Sequence, residues 1–191
     1  RLQQADANLL ALAALFSSSL WVTIATYKKF PVSTSHSIVG AVAGGGIAFS
    51  TYVHWEKIGQ IFVCWILTPL GACILSILLY HIFISVFRVP VSKKFKKGIL
   101  YFFIYITSAY LAFAWGANDV ANATGVLFGV QKITPFTASI IGALAIIIGI
   151  VTWGYRVIET VGSKIVHMTP LMTVVVEVAS ALNVHVYTHY G

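Results

Sequence analysis

From Gly59 to Phe87 the chain carries not one Asp, Glu, Lys or Arg. That run exceeds the roughly 20 apolar residues a helix needs to cross a hydrocarbon core ~30 Å thick. Comparable apolar runs occupy residues 8–26, 98–115, about 135–155 and 170–189. Hydrophobic residues make up 59% of the sequence and charged ones 9%, against about 25% charged in a soluble domain. The sequence predicts an all-α, polytopic membrane helical bundle. Its formal net charge of +7 comes from 12 basic and 5 acidic residues. The basic residues lie between the apolar runs rather than along one face, which argues against a nucleic-acid partner. Positive loops on the cytoplasmic side of a lipid membrane account for them.

The densest basic cluster is Arg88 with Lys93, Lys94, Lys96 and Lys97. It predicts a cytoplasmic loop over residues 89–97, between a transmembrane segment 1–88 and another 98–191. Tyr52, His54, Trp55, Glu56 and Lys57 read as an interfacial loop, with the aromatic rings at headgroup level. Pro69 and Gly71 predict a kink in the long 59–87 span. Cys64 and Cys73 stand about 13 Å apart along one helix, too far to be bridged. The first residue is Arg1, and the expectation is a fragment of a longer protein.

Polar residues inside the apolar runs carry the functional signal. Gly116-Ala117-Asn118-Asp119-Val120-Ala121-Asn122-Ala123-Thr124-Gly125 ends one such run. A carboxylate at membrane depth costs several kcal/mol, so such acids face a partner, an ion or a watery path. On a helix Asn118 and Asn122 share a face with Asp119 beside them. That face offers hard oxygen ligands for a small cation, so Asp119 and Asn122 form a candidate cation site. A straight helix from Gly98 would put Asp119 roughly 31 Å along its axis, beyond the membrane's middle. A midplane site therefore requires an earlier start, a strong tilt or a break. The expectation is that the backbone of Gly116–Gly125 departs from one straight spanning helix.

A second polar stretch is Pro31-Val32-Ser33-Thr34-Ser35-His36-Ser37. Pro31 suits the first turn of a helix. Ser33, Thr34 and Ser35 place hydroxyls at free backbone N–H groups, which suits an oxyanion. An ordinary capped helix explains the same residues equally well. Gly40 and Gly44 form a small-residue face for close helix approach. His36 has no second ligand residue nearby and reads as a packing histidine. The Ser17-Ser18-Ser19 cluster reads as helix packing before substrate contact. Arg156 and Glu159 are spaced to pair on a helix. Glu177, among valines and alanines, reads as pore-facing or as the partner of a cation beyond this stretch. Ser18–Thr26 also matches Ser180–Thr188 without gaps, a weak internal repeat.

Three motifs in order are carried by Pro31–Ala41, Gly116–Ala123 and Arg156–Gly162. Together they resemble the inorganic phosphate transporter family, which includes some sulfate permeases. The resemblance implies inverted repeats with broken or re-entrant helices, a multi-pass protein of the cell membrane and a homodimer. It implies the end of repeat one and the start of repeat two, and symport of inorganic phosphate with Na⁺ or H⁺. Ser33, Thr34 and Ser35 would then hold the oxyanion over a floor made by Asp119. Asn118, Asp119 and Asn122 would serve the coupling ion, with His36, Thr124, Glu159 and Thr160 in support. Ser35 departs from a family pattern that often has Thr, but keeps the hydroxyl. A sulfate permease of the same fold and a cation channel are the alternatives. No nucleophile–base pair or metal cluster suggests an enzyme, and no cofactor other than the coupling ion is implied.

Overall fold

The computed structural model describes residues 4–87, 92–129, 134–164 and 166–190. Every regular element among them is helical: α1 (Gln4–Tyr27), α2 (Thr34–Ala48), α3 (Trp55–Phe87), α4 (Lys93–Gly129), α5 (Pro135–Gly149), a π-helical turn (Ile150–Gly154), α6 (Tyr155–Lys164) and α7 (Pro170–Tyr190). Among the described residues, five stretches are long and apolar enough to cross a membrane: Asp6–Tyr27, Trp55–Ser85, Lys94–Phe128, Pro135–Gly162 and Pro170–Tyr187. The chain packs as two compact units, Arg1–His54 with Gly116–Val166 and Trp55–Trp115 with His167–Gly191.

In the first unit, α1 and α2 form a hairpin. The chain leaves α1 through Lys29, whose φ of 65° lies in the left-handed region. Phe30 N–H reaches Ala25 O at 2.9 Å and Lys29 N–H reaches Thr26 O at 3.0 Å. These two bonds close a Schellman turn on the last carbonyls of α1. Ser33 then caps α2 by accepting from His36 N–H. Pro31 precedes this cap, so it stiffens the connection rather than opening the helix as its sequence position suggested. The end of α2 repeats the device, with Ser50 at φ 50°, Thr51 N–H on Gly46 O and Ser50 N–H on Ile47 O. With 15 residues, α2 is about 22 Å long and too short to cross a ~30 Å core.

The close approaches of α2 also differ from expectation. A Cβ on Gly40 or Gly44 would meet nothing within 4 Å, whereas one on Gly45 would touch Leu10 Cγ of α1 at 3.4 Å and one on Gly46 would meet Val53 Cγ2 at 2.7 Å. The small-residue face therefore works one residue later than its Gly40–Gly44 spacing indicated, because the turn after Ala48 folds Val53 back onto Gly46.

Thr134 caps α5 by accepting from Thr137 N–H at 3.2 Å, with Pro135 in the first turn where no N–H is needed. The π-turn interrupts the α pattern before α6. A π-turn inserts one residue, displaces the following side chains and often marks a functional site.

No break occurs at Gly116–Gly125. Helix α4 runs without interruption for 37 residues from Lys93 to Gly129, so the expected departure from helix is overturned. Polar side chains there find partners without opening the backbone: Asn122 Nδ2 donates to Asn118 Oδ1 at 3.0 Å, and Thr124 Oγ1 to Val120 O at 2.7 Å. At roughly 1.5 Å per residue, Asp119 stands about 15 Å before the Gly129 end. Lys93, Lys94, Lys96 and Lys97, expected in a loop, form the first turn of this helix, capped by Ser92 through Phe95 N–H. Residues 88–91 of that loop lie outside the described residues.

In the second unit, α7 lies against α3. Val174, Val175, Ala179 and Ala181 are buried, as is Asn183. Asn183 Nδ2 donates to Thr68 O at 2.8 Å, and a Cβ on Gly71 would stand 2.8 Å from Asn183 Oδ1. Helix α3 continues through Pro69. Glu177 accepts from Ser108 Oγ at 2.5 Å and from Thr107 Oγ1. Its partners within the unit are thus hydroxyls of α4.

Candidate functional site

The first unit brings the two polar stretches together. The first turn of α2 meets the Asn-Asp face of α4. Thr34 Oγ1 donates to Asp119 Oδ1 at 2.7 Å, across 85 residues of sequence. Asn122 Nδ2 donates to Ser35 Oγ at 2.7 Å as well as to Asn118 Oδ1. Asp119, Asn122, Thr34 and Ser35 are all half-buried.

Counting protons shows what these groups can still do. A hydroxyl has one proton and two lone pairs, and a primary amide has two protons. Asn122 spends both amide protons on Ser35 and Asn118. Ser33 and Ser35 act as acceptors, from His36 N–H and from Asn122, so each keeps its own proton. Thr34 spends its proton on Asp119. The first turn of α2 therefore holds two hydroxyl donors and a third tied to a carboxylate. Ser37 gives its proton to Ser33 O at 2.9 Å. Among the described residues no group of three His, Cys, Asp or Glu could hold a metal ion. A cation here would rest on one carboxylate and neutral oxygens, a set that suits Na⁺ better than a tightly held divalent ion.

A cavity of about 550 Å³ opens on this site. Thr34, Ser37, Asp119 and Asn122 line one part of it, and Ser18, Ser19, Val22, Thr23 and Thr26 of α1 another. Trp153 and Gly154 of the π-turn contribute to the wall. The supporting residues sort by position. Thr124 is 8% exposed and packs against α5, where a Cβ on Gly142 would lie 2.9 Å from its Cγ2. Its role is helix packing behind the site. Glu159 forms an ion pair with Lys29 Nζ at 3.3 Å, joining α6 to the turn after α1. Arg156 sends Nη1 to Tyr27 O at 3.3 Å and lies over the rings of Tyr27 and Trp153. Thr160 Oγ1 donates to Arg156 O within its own helix. His36 is exposed beside the cap, and its backbone N–H makes the capping bond.

Sequence reasoning missed the α1 wall and the α6 clamp. The clamp spans about 130 residues of sequence, beyond any local pattern. The hydroxyls Thr23 and Thr26 carried a usable signal, since with Ser19 they recur at helical spacing on one face.

The sequence profile of the phosphate transporter family matches residues 2–191. The chain belongs to that family. It is a transporter family and not an enzyme family. A relative from Thermococcus kodakarensis with the name "Putative phosphate permease" is 28% identical, over 95% of this chain and 64% of its own length. One from Pyrococcus abyssi, named likewise, is 30% identical, over 86% of this chain and 61% of its own length. This family member thus spans less than two thirds of the length of these curated relatives. A solved structure described as "The sodium-dependent phosphate transporter" superposes with a TM-score of 0.81 at 26% identity, covering 98% of this chain and 66% of that one.

Proposed function

We propose that this chain belongs to a secondary active transporter that takes up inorganic phosphate by cation symport, with Na⁺ as the coupling ion. The observation that carries the reading is the 2.7 Å bond between Thr34 and Asp119. An oxyanion held by the α2 hydroxyls would lie next to a carboxylate. Two like charges about 5 Å apart repel by roughly 3 kcal/mol at an effective dielectric constant of about 20. A cation on Asp119 removes that repulsion. It also competes for the carboxylate oxygen that now holds the Thr34 proton. One hydroxyl proton cannot serve Asp119 and an oxyanion at once, so a cation on Asp119 frees Thr34 to join Ser33 and Ser35 on the anion. Each ligand thereby improves the site for the other, which is the reciprocity symport requires.

Na⁺ is preferred to H⁺ because Asn118, Asn122 and Ser35, joined by hydrogen bonds on the same face as the acid, offer amide and hydroxyl oxygens, and because the superposed structure is described as a sodium-dependent phosphate transporter. The protein would act as a homodimer in the cell membrane. The test is uptake of labelled phosphate into proteoliposomes with and without an inward Na⁺ gradient, with sulfate as competitor. The expected result is gradient-driven phosphate uptake that Asp119→Asn abolishes while the protein still inserts. Full uptake by that variant would remove Asp119 from the mechanism, and uptake driven equally well by a proton gradient alone would replace Na⁺ with H⁺.

A further inference from the structure

Helices α5 and α6 follow one another with only the π-turn between them, yet they are held very differently. Helix α5 is packed in. Its Ala138 and Gly142 are buried, and a Cβ on Gly142 would stand 3.1 Å from Val120 Cγ1 of α4. Helix α6 buries none of its residues from Tyr155 to Gly162. Polar contacts tie it to the end of α1. The turn at Lys29 satisfies the carbonyls of Ile24, Ala25 and Thr26 from within the chain, and Tyr27 O, at the negative end of the helix, accepts from Arg156 Nη1 at 3.3 Å. The Arg156 guanidinium lies 5.2 Å from the Tyr27 ring centre and 6.0 Å from that of Trp153, and the two rings are 6.5 Å apart. Glu159, about one turn further along, holds Lys29 Nζ at 3.3 Å, and both side chains of that pair are exposed. Contacts of this kind are weak and remake easily, unlike a packed apolar seam.

The π-turn Ile150–Gly154 is the natural place to bend between them. Thr152 Oγ1 shares its proton between Ile148 O at 2.8 Å and Gly149 O at 3.3 Å, a backbone bond that itself bends helices. Gly149 precedes the turn, and a Cβ there would meet nothing within 4 Å, so close packing does not demand the glycine. Backbone freedom is what it provides. Gly149, Ile150, Thr152, Trp153 and Gly154 all line the cavity, and so does Val157 of α6. We infer that α6 is a flap at this end of the cavity, hinged at the π-turn and latched to the end of α1 by Arg156 and Glu159. The inference rests on the transport reading and is indifferent to which anion and which coupling ion are carried. A transported solute must be sealed from one side of the membrane before its release to the other. With the latch closed, Trp153 and Val157 stand in the cavity wall together with Thr23 and Thr26 of α1. With Tyr27 O and Lys29 released, α6 turns about Gly149 and carries Val157 out of that wall, while α5 keeps its packing on Val120 and Thr124.

The test uses the full-length protein with its native cysteines replaced and with Lys29→Cys and Glu159→Cys introduced together. A short bis-methanethiosulfonate reagent bridges the two thiols, and dithiothreitol releases them. In proteoliposomes, bridging is expected to cut Na⁺-driven uptake of labelled phosphate about tenfold or more. Reduction is expected to restore the rate that the same sample had before treatment. The same reagent on Lys29→Cys alone is expected to leave that variant's own rate unchanged. Undiminished uptake by protein whose bridge is confirmed by mass spectrometry overturns the inference. An equal loss in the singly substituted protein overturns it too, since attachment of the reagent and not restraint of α6 would then be the cause. A second measurement needs no phosphate transport. With Thr23→Cys as the only thiol, adding Arg156→Gln is expected to raise the rate of labelling by a membrane-impermeant thiol reagent about fivefold, because the open flap uncovers the α1 wall. An unchanged labelling rate overturns the flap whatever the uptake result. A wild-type protein that carries no phosphate overturns the phosphate reading alone, and the labelling rate then decides on the flap.

Discussion

At the scale of single residues the site turns on where protons are spent. Thr34 gives its one proton to Asp119, while Ser33 and Ser35 accept and keep theirs. Thr34→Val removes the exchangeable proton and leaves Asp119 without that donor. The expected outcome is a loss of phosphate uptake of about tenfold or more, with near wild-type uptake in Thr34→Ser. Equal activity of the valine and serine variants would show that the hydroxyl is not used. Ser33 is the helix cap and, in the proposed function, also a donor to the anion. Ser33→Ala is therefore expected to cost about 1 kcal/mol of stability through the lost cap in addition to weakening phosphate uptake, and Ser33→Asp separates the two. Aspartate caps a helix as well as serine does, but it sets a negative charge where the anion should sit. Normal thermal stability in detergent with abolished uptake is the expected pairing for that variant.

At the scale of elements, the turns that bend the chain into place are built on residues that fit them poorly. Lys29 and Ser50 both occupy the left-handed region at helix ends, where a side chain costs on the order of 1 kcal/mol against glycine. Ser50→Gly is expected to raise the melting temperature in detergent by a few degrees, because nothing but the backbone uses that position. Lys29→Gly gains the same backbone relief and loses the Glu159 ion pair. With side chains 47% and 59% exposed, that pair is worth well under 1 kcal/mol, so the net change should be close to zero or positive. A melting temperature that falls by more than a few degrees would show that the pair is stronger than an exposed one.

The contrast between these elements explains what the sequence made legible. The spans and the capped start of α2 rest on hydropathy and on local chemistry, whereas the pairing of the hydroxyl turn with the Asn-Asp face was implied by the family resemblance. The unbroken helix through Gly116–Gly125 was hidden. The length of a straight helix to Asp119 argued for an earlier start, a tilt or a break, and the polar side chains Asp119, Asn122 and Thr124 find partners in Thr34, Ser35 and Val120 with the helix unbroken. The shift from Gly44 to Gly45 and Gly46 depends on Leu10 and Val53, which no spacing rule identifies. Gly142 is a similar case. A methyl there would meet Thr124 Cγ2 at 2.9 Å and Val120 Cγ1 at 3.1 Å. Gly142→Ala is expected to destabilise by about 1–3 kcal/mol through overpacking and to lower uptake by displacing Asn122 and Asp119. Adding Thr124→Ser, which removes the clashing methyl, should recover a large part of both losses. Failure of that rescue would place the strain elsewhere.

At the scale of the whole molecule, the helices fix a topology that labelling can read. Helix α3 is long enough to cross the membrane once, and a crossing puts Trp55 at its start and Lys94 beyond its end on opposite sides. Lys94, Lys96 and Lys97 crowd the start of α4, where the positive end of a helix dipole disfavours them. Their position is not explained by helix electrostatics, since cations favour the other end. We propose that they are kept on the cytoplasmic side, beside anionic headgroups. Lys97 further rests over the ring of Tyr101, with its nitrogen 5.7 Å from the centroid, a contact suited to a side chain reaching towards an interface. With Cys64 and Cys73 replaced, a cysteine at position 94 is expected to react with a membrane-impermeant thiol reagent only from the cytoplasmic face, and one at position 55 only from outside. Labelling of both from one side would mean that α3 does not cross. Reversed labelling of the pair would keep the crossing and invert the protein, which would make uptake into the cell run from the face opposite to the one the basic residues indicate.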